Sequence, residues 1–149
     1  MDASFVTTRR KLLGLTQREL ARRSGVKQPL ISAIENGRRE ATAPVAQTLA
    51  RALEVRPSVA LAGLREEVWR VVRANGGRVV HVFGSVARGQ DRTDSDLDLI
   101  VEFDADADIA DLLAMEEELG ELLTVPVDVI SAGASSAVTA AARRDMVAL

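Results

Sequence analysis

In the run Ser95-Asp96-Leu97-Asp98-Leu99-Ile100-Val101 the polar and apolar residues alternate as they do along a half-buried strand. Asp96 and Asp98 then project from one face, ~6.6 Å apart by rise, while Leu97 and Leu99 turn to the core. Two carboxylates in one small volume repel, and one tends to keep its proton unless a divalent cation lies between them. Hard oxygen donors of this kind suit magnesium. Upstream, the β-branched run Val79 to Phe83 leads into Gly84-Ser85-Val86-Ala87-Arg88-Gly89. Gly84 lets a backbone come close to a ligand, and Ser85 offers a hydroxyl and an amide at the start of a short helix, where phosphate is favoured. A cation clamp and an anion cradle are expected to face each other.

A Gly-Ser turn alone signals nothing, and a lone Asp-x-Asp pair is usually solvated charge. Their order is more specific: Gly84-Ser85, then Arg88-Gly89, then Ser95-Asp96 and Asp98, then Val127-Asp128-Val129 on a later strand. This set resembles the nucleotidyltransferase signature of the polymerase beta superfamily in its minimal form, over about residues 60 to 149. The resemblance implies that Asp96, Asp98 and Asp128 are the catalytic residues and hold two magnesium ions. It also implies that Gly84 and Ser85 cradle the triphosphate of ATP or another NTP, with Arg88 and Ser95 as further phosphate contacts. The run Pro126 to Ile130 is apolar on both sides of Asp128, and a charge so placed costs several kcal/mol unless paired. Asp128 is therefore expected to meet a metal or a substrate proton.

Three strands must position these groups: Val79 to Phe83, the stretch after Ser95, and Pro126 to Ile130. The spacing predicts one helix over 59–74, with Leu61, Leu64, Val68, Val71 and Val72 on one side, another over 109–123, and a last one over 135–144. Met146 to Leu149 is expected to pack back as a short extended segment. Asp104, Asp106 and Asp108 precede a helix and are explained by capping and the helix dipole. His81, a single histidine on the first strand, is given no catalytic role.

The charge is divided unevenly. Residues 1–56 hold eleven Lys plus Arg against five Asp plus Glu, whereas residues 57–149 hold eight against seventeen. Such asymmetry suggests two domains, 1–56 and 57–149, the basic one suited to nucleic acid. Cysteine is absent, which excludes disulfides and thiolate metal sites. No apolar run suggests a leader or a membrane span, so a cytoplasmic protein with no membrane partner is expected.

In the basic part, Thr16-Gln17-Arg18-Glu19 reads as a capping box. A helix follows to Ser24-Gly25, and a second runs over 28–35 with Ile31 and Ile34 on one face. Two short helices joined at a glycine describe a helix-turn-helix. The string LTQRELARRSGVKQPLISAIENGRRE resembles the phage-repressor or XRE family. The resemblance implies a lambda-repressor-like all-α domain whose second helix lies in the major groove. Lys27, Gln28 and Ser32 would read bases, and Gln17, Asn36 and Arg38 would touch the DNA backbone. Lys27 stands where Ser or Thr would cap, beside the positive end of a helix dipole, a placement that a nearby phosphate or guanine would favour. Arg10 and Glu35 match an ion pair of similar repressors and are assigned to structure.

The expected fold class is thus α+β in two domains, a helix-turn-helix followed by a minimal nucleotidyltransferase domain with a small mixed sheet flanked by helices. Minimal nucleotidyltransferases of this kind resemble antitoxins that adenylylate a HEPN-type ribonuclease toxin. The implied partners are a palindromic operator, bound as a homodimer, and a toxin protein. Two other readings stand beside it. One is a non-catalytic repressor with a nucleotide- or partner-binding domain; the other is a toxin acting on RNA 3′ ends, which the acidity of residues 57–149 disfavours.

Overall fold

The computed structural model describes residues 1–134 and 136–149, and Cα packing divides it into two units, Met1–Val55 and Arg56–Leu149. Unit 1 is helical: α1 (Ala3–Leu12), α2 (Gln17–Ser24), α3 (Gln28–Glu35) and α4 (Ala43–Ala52). The capping box forms as expected: the Glu19 amide donates to Thr16 Oγ1 at 3.1 Å and the Thr16 amide to Glu19 Oε2 at 2.7 Å. Gly25 then takes φ +77° and turns the chain from α2 into α3. Val6, Leu20, Val26, Ile31, Ile34, Leu49 and Leu53 make one buried cluster among the four helices. A domain this small keeps such a core only if each helix donates its apolar stripe.

Unit 2 contains α5 (Pro57–Gly63), α6 (Arg65–Ala74), β1 (Gly77–Phe83), α7 (Gly84–Ala87), β2 (Leu97–Phe103), α8 (Ile109–Leu123), β3 (Val127–Ser131), α9 (Ala137–Ala142) and β4 (Val147–Ala148). Among the described residues the sheet has the order β3-β2-β1-β4; β1 runs antiparallel to β2 and β4, and β2 runs parallel to β3. The single helix expected over 59–74 is instead two helices. The break falls at Leu64, directly after Gly63, whose backbone freedom makes a continuous helix less favourable there. Ala60 and Leu61 of α5 and Val68 and Val72 of α6 are all buried. The expected start of the last helix, position 135, lies outside the described residues.

The register separates the two faces of the sheet. Val80↔Val101, Val82↔Leu99, Leu97↔Val127 and Leu99↔Val129 form one face, and all of these residues are buried together with Val68, Val72, Met115, Leu119 and Leu123 of α6 and α8. Packing is close enough that a Cβ on Gly77 would lie 2.5 Å from Val72 Cγ1. The other face carries Phe83↔Asp98↔Asp128 and, one row on, His81↔Ile100↔Ile130. Among the described residues no helix is long and apolar enough to cross a membrane.

Candidate functional site

β2 and β3 place Asp98 and Asp128 as direct cross-strand partners. Paired strands lie about 4.8 Å apart, so the two carboxylates leave the sheet side by side. Asp96 stands just before β2 and is exposed. Burial, and then the charges of Asp128 and Asp96, push the Asp98 carboxyl above the usual carboxylate range. Partial desolvation, and then Asp96 and Glu116, do the same to Asp128. Like charges therefore meet on this face, the electrostatic state that a divalent cation relieves. The donors are all carboxylate oxygens and fit magnesium in kind. Among the described residues, however, no three acidic or histidine side chains close round one point tightly enough to form a cation cage.

Asp128 corrects one expectation. It is exposed, while its neighbours Val127 and Val129 are buried, because strand alternation turns the carboxylate out of the apolar layer. Its outer neighbour is Glu116 of α8, whose Oε2 accepts the Val129 amide at 2.9 Å on the free side of β3.

The Gly84-Ser85 loop lies against Asp98. Gly84 has φ +71°, and a Cβ there would lie 2.5 Å from Asp98 Oδ2. Glycine takes this turn without strain, and a side chain there would move the Asp98 carboxylate. Ser85 follows inside the single turn of α7. Ser95 also shapes the loop: its Oγ accepts the Arg92 amide at 2.9 Å, and its own amide donates to the Arg92 carbonyl at 3.1 Å, which leaves the hydroxyl hydrogen able to donate. These bonds close the turn that delivers Asp96. Arg88 is not held out for a ligand alone; its Nη1 donates to Asp145 Oδ2 at 2.6 Å.

Asp91 is a residue that sequence reasoning missed. Only 5% exposed, it accepts the Ser58 amide at 2.8 Å and so caps α5 from a position 33 residues away. Its proximity to the Ser95-Asp96 turn in sequence carried no hint of that long-range bond.

In unit 1, Lys27 is the N-cap of α3, exposed and with no side-chain cap bond. Gln28 Nε2 donates to Gln17 Oε1 at 2.9 Å, and Gln17 Nε2 donates to Glu35 Oε2 at 3.0 Å. Arg10 holds Glu35 through two bonds of 2.6 and 3.0 Å. A chain of four side chains thus fixes Gln28 at the start of α3. Gln17, expected at the DNA backbone, is the link that orients Gln28. Asn36 donates to the Ser32 carbonyl at 2.8 Å, while Arg38 is exposed beyond the end of α3. Arg9 stacks over Phe5 at 4.4 Å and donates to the Leu53 carbonyl at 3.2 Å.

Comparison with known proteins agrees with both geometries. A helix-turn-helix family profile matches residues 7–59, and a nucleotidyltransferase domain profile matches residues 65–146. The chain belongs to the nucleotidyltransferase domain family. A Methanocaldococcus jannaschii protein named as a protein adenylyltransferase is 31% identical over 68 residues, which are 46% of this chain and 73% of that protein. The protein adenylyltransferase MntA of Thermococcus cleftensis is 38% identical over 55 residues, 37% of this chain and 56% of its own length. A helix-turn-helix transcriptional regulator of Mycobacterium tuberculosis is 39% identical over 56 residues, 38% of this chain and 40% of that one. A solved minimal nucleotidyltransferase structure is 36% identical, with a TM-score of 0.54, over 62% of this chain and 95% of that chain. A toxin-antitoxin structure with AMP-PNP, 20% identical with a TM-score of 0.50 over 56% of this chain and 69% of that chain, shares the nucleotidyltransferase fold.

Proposed function

We propose that this nucleotidyltransferase is a DNA-binding antitoxin that transfers AMP from ATP to a partner protein, a HEPN-type toxin. The observation that carries the reading is the pairing of Asp98 with Asp128 on one sheet face, against a Gly84 turn where any side chain would push the Asp98 carboxylate aside. The names of the two archaeal adenylyltransferase relatives support a protein acceptor. Residues 57–149 are acidic, with seventeen Asp plus Glu against eight Lys plus Arg, which disfavours a polyanionic acceptor such as RNA.

In this reading Asp96, Asp98 and Asp128 would hold two magnesium ions, which when bound neutralise the donor's phosphates and lower the pKa of the attacking hydroxyl. Gly84 and Ser85 seat the triphosphate through backbone amides and the Ser85 hydroxyl. Asp128 orients the acceptor hydroxyl and takes its proton. The hydroxyl oxygen forms a bond to the α-phosphorus, the bond from that phosphorus to the β-phosphate oxygen breaks, and pyrophosphate departs. Positioning and charge neutralisation supply most of the rate.

Unit 1 binds a palindromic operator as a homodimer, with Lys27, Gln28 and Ser32 at the base edges and Asn36 and Arg38 along the backbone. Such a fusion lets the antitoxin control its own transcription.

The test is incorporation of α-labelled ATP, with magnesium, into the product of the neighbouring reading frame co-purified with this chain. Label in the partner that is absent with Asp98→Asn supports the proposal. An unlabelled partner, with ATP and magnesium present, rejects it.

A further inference from the structure

The ion pair between Arg88 and Asp145 joins two places that the chain could have kept apart. Arg88 ends the turn that begins at Gly84, and Asp145 lies between α9 and β4, 57 positions later. Both side chains face solvent in part, Arg88 at 48% and Asp145 at 27% exposure, so a ligand can reach the guanidinium. Asp98 feels both charges: Arg88 favours its ionised form, and Asp145 opposes it. The guanidinium thus belongs to the electrostatic surroundings of Asp98.

We propose that Asp145 sets the affinity of the site for its nucleotide donor, by occupying as an internal anion the Arg88 guanidinium that a donor phosphate takes on binding. The proposal rests on the reading of this face as a nucleotide site. A carboxylate and a phosphate present the same kind of acceptor to a guanidinium, and both bind it through charge-assisted bonds. A triphosphate brings more negative charge and more acceptor oxygens than one carboxylate, so it displaces Asp145 and does not share Arg88 with it.

The segment that carries Asp145 is held lightly enough to yield. β4 has two residues, Val147 and Ala148, paired with Val82 and His81, and the Leu149 amide donates to the Val80 carbonyl at 3.1 Å. Val147 is 53% exposed. Loss of the Asp145 contact leaves these few backbone bonds and the half-buried side chains of Met146 and Leu149 to keep the segment on the edge of β1. Donor binding therefore loosens residues 145–149.

The experiment measures equilibrium binding of ATP with magnesium to the full chain by calorimetry, for wild type, Asp145→Asn, Arg88→Gln and the double variant. Asp145→Asn is expected to tighten ATP by about threefold to fivefold, the range of a partly exposed ion pair. Arg88→Gln weakens ATP, and in its background Asp145→Asn brings no gain. Unchanged or weaker binding in folded Asp145→Asn overturns the proposal while leaving the nucleotide site intact. Absence of ATP binding in all four proteins overturns both.

Should Asp145→Asn fail to fold, amide exchange on the wild-type chain decides. Faster exchange at Val147 and Leu149 when ATP and magnesium are added supports displacement. Unchanged or slower exchange refutes it.

Discussion

Asp98 and Asp128 face each other across the parallel pairing of β2 with β3, and both carboxyls hold their protons more tightly than an ordinary aspartate. The cost of that arrangement falls on the folded state, and it is lifted by a proton or a cation.

Acid therefore relieves rather than creates strain at this pair. A native pKa above the unfolded value of 3.8 means that the folded chain binds more protons in the window between the two. Stability from this group is greatest below that window and is lost as pH rises through it. Asp98→Asn is expected to raise the midpoint of unit 2 unfolding at pH 7 by about 1–3 °C, and the gain should vanish on acidification below the window. Magnesium should raise the wild-type midpoint and leave that of Asp98→Asn unmoved. Scanning calorimetry over a pH series, with and without the ion, checks both.

Gly84→Ala tests the approach of the loop to Asp98. The left-handed conformation costs about 1–2 kcal/mol for an L-residue, and the new methyl also displaces the Asp98 carboxylate. Label transfer to the partner is expected to fall about 100-fold, as for a reacting group moved by an ångström, with the far-ultraviolet spectrum retained.

Gln17 and Gln28 act as a unit on the DNA side. Gln28→Ala should relax base preference at one operator position by about 1–3 kcal/mol, and Gln17→Ala should reproduce much of that loss by freeing Gln28. Arg38→Ala, at the backbone, should instead weaken all sequences alike and lower the salt slope by about 1. Selection of bound sequences followed by titrations at several salt concentrations separates the two behaviours.

Arg10 and Glu35 anchor that chain from beneath, with side chains only 13% and 6% exposed. Burial alone would raise the Glu35 carboxyl, but the bonds from Arg10 and Gln17 together with the Arg10 charge hold it below the usual range. Its contribution is present above the unfolded value of 4.5 and is lost as pH falls through the lower native pKa. Glu35→Gln leaves Arg10 buried without its counter-charge, which costs about 3–5 kcal/mol. Circular dichroism of residues 1–55 should show the wild type losing helix in acid and the variant already destabilised at neutral pH.

Where local rules decide, the sequence could be read directly. The span of α8 follows from its apolar spacing and from Asp108, whose side chain accepts two amides of the first turn. The capping box at Thr16, the glycine turn at Gly25 and the strand alternation that sets Asp98 on the face opposite Leu97 and Leu99 are equally local. What escaped depends on distant partners or on competition between similar preferences. The pairing of Arg88 with Asp145 and the capping of α5 by Asp91 join residues far apart in the chain, so no window of sequence contains both. The break at Leu64 lies inside a stripe that reads as continuous, because Gly63 weakens a helix without forbidding one. Gln17 was legible as a polar group near DNA, but its role as a brace for Gln28 needs the crossing of α2 over α3.

The bond from Glu116 to the Val129 amide bears on how these chains meet one another. β3 is the outermost strand beside β2, and an outermost strand with spare donors invites a second chain to extend the sheet. Here one of those donors is already satisfied from within, by a negatively charged group that an incoming backbone carbonyl would have to evict. Growth of the sheet past β3 is thereby discouraged, because a new strand would have to break an internal charged bond before it could make its own.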